Sequence, residues 1–180
     1  MIKKIAAVVL LSVVTSSAFA ASEGFYVGGM LGSGKLGLTT NTALSKTSDF
    51  VYGGLFGYQY SPSLAVEVQF TGMGKITAVN GSTVKGDALS LVAVGALPIT
   101  RDFELLGKLG VASTNTTTAG FASQGTSRTG LTYGIGAQYG VSQSVALRFG
   151  WDSYPESVLT AGTRINGNAS VISVGAVFKF

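Results

Sequence analysis

The feature that most constrains this chain is its period. Leu64-Ala65-Val66-Glu67-Val68-Gln69-Phe70 places Leu64, Val66, Val68 and Phe70 on one face and Ala65, Glu67 and Gln69 on the other. Val145-Ala146-Leu147-Arg148-Phe149-Gly150-Trp151-Asp152 repeats the pattern. Alternation of this kind describes strands with a different environment on each side. No helical periodicity appears after Ala20. A helical membrane protein needs ~20 consecutive apolar residues per span, and the one continuous apolar run, Ile5 to Val14 apart from Ser12, falls well short of that. Charged residues are only 11% of the chain, which excludes disorder driven by high charge and low hydrophobicity.

Eight alternating segments can be marked, at 24–33, 50–60, 64–73, 87–97, 103–113, 130–140, 144–153 and 169–180. The joins at Ser61-Pro62-Ser63, Pro98–Asp102 and Val141-Ser142-Gln143 are short. Those at 34–49, 74–86, 114–129 and 154–168 are long and rich in Thr, Ser, Asn and Gly. Long and short joins alternate along the chain, as in an outer-membrane barrel with short turns on one side and long loops on the other. The segment lengths match the ~9–11 residues of a tilted membrane-crossing strand. The predicted fold is therefore all-β: an eight-stranded antiparallel up-and-down transmembrane β-barrel over 21–180, with four long extracellular loops and three short periplasmic turns.

One face of each segment is apolar and uninterrupted by charge: Phe25 and Leu31, Tyr52 and Phe56, Leu64 to Phe70, Leu89 and Leu91, Leu105 to Val111, Tyr133 and Ile135, Val145 to Trp151, Ile172 and Val174. Aromatics gather near the segment ends (Tyr58, Tyr60, Phe103 and Tyr139 by the short turns; Tyr52, Phe70, Tyr133 and Trp151 towards the loops), as in the girdles of such barrels. A soluble barrel or sandwich would need charges on the opposite face. That face is instead small, with Gly28, Gly57, Ala65, Ser90, Ala96, Gly110, Gly134 and Gly175, which suits a narrow lumen. Its polar members are Glu67, Gln69, Glu104, Lys108, Gln138, Arg148, Asp152 and Lys179. Charges in a nearly dry lumen must be paired, and Glu67 and Glu104 with Lys108 and Arg148 can form such a network. It would act either as a gate or as a polar plug that fixes register.

The N-terminus reads as an export signal. Lys3 and Lys4 precede the apolar run, and Ala18-Phe19-Ala20 is an A-x-A pattern, with cleavage expected between Ala20 and Ala21. Residues 1–20 are thus an expected signal peptide for the Sec pathway, and the localisation it implies with the barrel is the bacterial outer membrane. Without Lys3 and Lys4 the remainder has 10 basic and 8 acidic groups, a charge of +2, too small for nucleic-acid binding. With no His, neither a Ser–His–acid set nor a His proton shuttle can form. With no Cys, soft metal sites are excluded. Gly32-Ser33-Gly34-Lys35-Leu36-Gly37 matches G-x-G-x-x-G, but Thr39, Thr40 and Asn41 follow it where the dinucleotide motif needs a helix. No catalytic residue, metal or cofactor is expected.

Four stretches resemble the OmpA-like transmembrane domain family: Gly57-Tyr58-Gln59 with Pro62 and Glu67; Leu97–Thr100 with Lys108-Leu109-Gly110; Gln138-Tyr139 through Arg148 to Trp151; and Ser173-Val174-Gly175 with Phe178-Lys179-Phe180. The resemblance implies that Phe178 and Phe180 form the signal read by the barrel-assembly machinery. It also implies that Lys108 and Arg148 belong to the family's internal charge network. Where the family has a lumen cation on strand four, this chain has Ser90, Val92, Val94 and Ala96; where it has a carboxylate on strand six, this chain has Gln138. In size the chain resembles free-standing OmpX-type barrels, without the periplasmic peptidoglycan-binding domain. The expected function is structural and surface-interacting, with membrane lipid, lipopolysaccharide and a host or phage surface ligand as partners. The alternatives are a small porin-like channel, motivated by the Gly- and Ala-lined lumen, and a lipid-modifying enzyme.

Overall fold

A computed structural model describes residues 23–37, 48–77, 83–119, 124–160 and 163–180. The candidate cleavage residues Ala18, Ala20 and Ala21 lie outside them. Eight strands follow one another: β1 (Gly24–Gly37), β2 (Ser48–Ser61), β3 (Leu64–Thr77), β4 (Thr83–Pro98), β5 (Phe103–Ala119), β6 (Gln124–Gly140), β7 (Val145–Thr160) and β8 (Thr163–Lys179). Each pairs antiparallel with its neighbours, and β1 pairs with β8 to close the barrel. Closure removes the sheet edge that lipid could not hydrogen-bond.

The short turns bond to themselves. The N–H groups of Ile99 and Thr100 donate to the Phe103 carbonyl, and those of Val141 and Ser142 to the Val145 carbonyl. Thr100 Oγ1 accepts from the Phe103 N–H at 3.1 Å and Ser142 Oγ from the Val145 N–H at 3.1 Å. With the turns fixed, register is fixed, and alternation then sends every second side chain outwards. Phe56, Val66, Leu91, Leu109, Ile135, Leu147 and Val174 are all exposed. So large an apolar belt is stable only against acyl chains. Aromatic clusters mark its two margins: Phe25 lies 4.8 Å from Tyr58 near the turns, and Tyr133 lies 6.0 Å from Trp151 near the opposite end.

The segment boundaries hold at the turn end and move at the other. The joins expected at 34–49, 74–86, 114–129 and 154–168 contract to 38–47, 78–82, 120–123 and 161–162, because the strands run on through most of those residues. A strand of 17 residues tilted at about 40° rises ~43 Å, well above an apolar band ~25 Å tall. Beyond the band no lipid demands an apolar face, so the alternation fades. Thr-rich sequence such as Thr114–Thr118 still favours strand, and the ladder continues into a rim above the membrane.

Candidate functional site

The interior is fuller than its small residues suggest. Tyr26, Leu55, Val92, Val94, Leu106 and Val177 form one buried apolar cluster. Val51, Ala88, Ala112, Tyr154 and Val171 form a second. The lumen is thus narrow and filled, and the Gly- and Ala-lined face that motivates the channel alternative is occupied by neighbouring side chains. Glycines are part of the reason: Gly53, Gly57 and Gly134 leave room for Met30, Tyr26 and Asp152 from neighbouring strands.

Two polar pairs show how this works. Tyr26, Gly57 and Glu67 stand side by side on β1, β2 and β3. The Tyr26 ring lies over Gly57, where a Cβ would collide with it, and its hydroxyl donates to Glu67 Oε1 at 2.7 Å. Lys108, Gly134 and Asp152 stand in the same relation on β5, β6 and β7. A Cβ on Gly134 would strike the Asp152 carboxylate and the Trp151 carbonyl. Across that gap Lys108 Nζ approaches Asp152 Oδ1 to 2.7 Å and Oδ2 to 2.9 Å. In both cases a glycine on the middle strand lets polar groups from its two neighbours meet.

Arg148 ties opposite walls together. From β7 its Nη1 donates to Glu67 Oε1 on β3 and its Nε to Gln138 Oε1 on β6 at 2.9 Å. The guanidinium carbon lies 5.7 Å from the centre of the Tyr26 ring. Gln69 Nε2 donates to the other Glu67 oxygen. Glu67 is fully buried, and the hydrogen bonds it accepts from Tyr26, Arg148 and Gln69 make that burial tolerable.

The expected quartet of Glu67, Glu104, Lys108 and Arg148 is therefore divided. Lys108 takes Asp152 rather than either glutamate, because the register places Asp152 two strands away at its own level. Glu104 sits nearer the turns, beside Gln138 in register. Lys179 Nζ, also near the turns, donates to Gln59 Oε1 at 3.0 Å. Two small cavities flank Arg148, of about 20 and 10 Å³, each with room for roughly one water. No group of three His, Cys, Asp or Glu comes together among the described residues. The Phe180 N–H donates to the Phe25 carbonyl at 3.0 Å, completing the seam, and its ring is exposed while Phe178 is half-buried.

Tyr26 and the pairing of Asp152 escaped the sequence reading. Tyr26 stood at an inward position of an alternating segment and was legible in principle. Lys108 and Asp152 could be matched only once register was known.

Residues 6–180 match the model of the outer membrane protein beta-barrel domain. The chain belongs to this outer-membrane β-barrel family. It is an eight-stranded barrel of the bacterial outer membrane, in contact with lipid. It is 25% identical over 176 residues to Outer membrane protein A of Klebsiella pneumoniae, covering 87% of this chain and 51% of that one; it thus spans about half of that relative. Among solved structures it resembles Neisserial surface protein A (NspA), with a TM-score of 0.69, 20% identity and coverage of 89% and 99% of the two chains. It also resembles Ail, the attachment invasion locus protein of Yersinia pestis, solved with the heparin analogue sucrose octasulfate, with a TM-score of 0.58, 14% identity and coverage of 87% and 99%. At these identities the likeness speaks for the fold.

Proposed function

We propose that this outer-membrane barrel is a non-catalytic structural and surface-interaction protein that acts through the rim its strands raise above the membrane. The observation that carries this reading is the division of the chain. Within the membrane the interior is occupied by apolar clusters and by the ion pairs of Glu67 with Arg148 and of Lys108 with Asp152. Above it the barrel continues as a polar wall. A lumen so filled suits a plug that fixes register better than a gate or a conducting pore.

The partners we propose are lipopolysaccharide and an anionic surface ligand of host or phage. Lys35 and Lys85 are exposed on β1 and β4 towards the rim, and the Ail complex shows that a barrel of this fold can hold a polysulfated sugar. We further propose export through the Sec pathway with cleavage after Ala20, and delivery to the assembly machinery through Phe178 and Phe180. Replacing the rim segments 114–129 and 154–168 with short turns, while the barrel below is kept, is expected to abolish attachment of expressing cells to immobilised heparin. Attachment that survives the replacement contradicts the surface role. Steady channels from the intact protein in planar bilayers would favour a pore instead.

A further inference from the structure

The β6–β7 ladder runs from Gly140 opposite Ala146 to Tyr133 opposite Ser153 and ends there. Yet β6 stays paired with β5 as far as Gln124, and β7 with β8 as far as Thr160. Above Ser153, β7 lies behind β6 rather than beside it. A Cβ on Gly130 would meet the Pro155 ring at 3.0 Å. Thr132 Oγ1 donates to the Ser153 carbonyl at 2.8 Å, and Thr114 Oγ1 on β5 donates to the Pro155 carbonyl at 2.7 Å. Arg128 Nη1 donates to the Glu156 and Gly167 carbonyls at 2.6 and 2.9 Å. Every residue from Asp152 to Ser157 is buried, although a barrel strand elsewhere alternates. Tyr154 reaches across to β3, its hydroxyl 3.2 Å from Thr71 Oγ1. The upper part of β7 is folded into the mouth of the barrel.

That arrangement encloses an unsatisfied acid. Glu156 is 2% exposed, and neither its Oε2 nor Ser157 Oγ has a hydrogen-bond partner. Among the described side chains, the charged ones on the elements around it are few. β6 brings Arg128, which binds two carbonyls; β5 brings Lys108, which is paired with Asp152 of β7 itself. Otherwise β5 brings Thr114 and Thr116, β3 Thr71, β4 Ala88 and β8 Ala169, all buried. Meanwhile, among the described residues, the edge of β6 from Gln124 to Thr132 has no strand paired to it on the β7 side. Continuing the existing register would set Gly130 opposite Glu156 and give β7 a second seat on that edge. Pro155 has no N–H to offer the ladder there, so the second seat lacks a donor at that position. Such alternatives are discrete packings of one element.

We propose that Tyr154–Ser157 of β7, with the β8 residues paired to them, form a pH-operated flap, tucked into the mouth while Glu156 is protonated and zipped onto the free edge of β6, opening the mouth, when Glu156 ionises. Glu156 lies above the apolar belt, beyond Trp151, and burial pushes its carboxyl up to about 7. Below that pH the neutral acid tolerates the dry site. Above it a charge without a partner disfavours the tucked seat, and the widened mouth hydrates it. The inference holds whether or not the rim binds a ligand.

The test is solution NMR of the chain folded in lipid nanodiscs, titrated from about pH 5 to about pH 9. The amides of Gly130 and Leu131 on β6 and of Ser153 and Ser157 on β7 are expected to shift together. Their common midpoint should equal that of the Glu156 carboxyl carbon, and the ratio of the two seats should change by up to about tenfold per pH unit. Glu156→Gln is expected to stay tucked throughout, and Arg128→Ala to open at lower pH. Should Glu156→Gln not fold, the wild-type titration still decides. β6 amides that ignore the ionisation of Glu156, or a Glu156→Gln chain that titrates like the wild type, would overturn the proposal.

Discussion

The belt and the rim of this barrel share the same eight strands and follow different rules. In the belt every ladder is closed, each outward residue is apolar, and Glu67, Arg148, Lys108 and Asp152 are all paired. In the rim the β6–β7 ladder is open, outward residues such as Asn115, Thr117 and Thr129 are polar, and Glu156 is buried with an unpartnered oxygen. Lipid accounts for the contrast. Where acyl chains surround the wall, an unpaired backbone group has no other partner and the barrel must close. Where water replaces them, a strand can leave the ladder and be held by side chains instead.

The largest effect that sharpens this contrast lies at the cross-lumen tie. Glu67→Ala leaves Arg148 buried without its counter-charge and is expected to cost ~3–5 kcal/mol, read by guanidinium unfolding in lipid. The double variant with Arg148→Ala should recover part of that loss through its coupling energy. Next, Leu147→Lys puts a charge against lipid and should cost ~2–4 kcal/mol, whereas Thr117→Lys in the rim should change stability by less than ~0.5 kcal/mol. Equal costs would erase the distinction between belt and rim. Gly134→Ala should cost ~1–3 kcal/mol, since its methyl forces the Asp152 carboxylate aside in a packed interior.

The smallest effect is the pH dependence of the rim. Because the Glu156 carboxyl is raised to about 7 in the folded chain, the native state holds a proton that the unfolded chain has released. Stability contributed by the tucked rim should therefore be greatest below the ordinary carboxyl range, fall as pH rises towards about 7 and level off above it. Glu156→Gln should flatten that part of the unfolding profile.

The same contrast governs what could be read from sequence. Leu64 to Phe70 and Val145 to Trp151 were legible because lipid on one side and a packed lumen on the other enforce alternation residue by residue. Thr114–Thr118 and Tyr154–Thr160 were not, because water makes no such demand; they read as loop and fold as strand. Inward orientation was legible for Glu67, Lys108, Arg148 and Asp152. Partnership was not, since it depends on which residues share a level around the barrel. Gly57 and Gly134 mark a narrow lumen in the sequence, but do not show that Tyr26 and Asp152 occupy the space they leave.

The apolar face of every strand meets acyl chains. Trp151 is the single tryptophan and stands on that face at the margin of the belt, so its fluorescence reports on that contact directly. In vesicles of lipids brominated along the chain, the account predicts strong quenching of Trp151, greater for bromines near the headgroup than for those near the bilayer centre. Emission untouched by brominated lipid but quenched by aqueous iodide would place that face in water and contradict it.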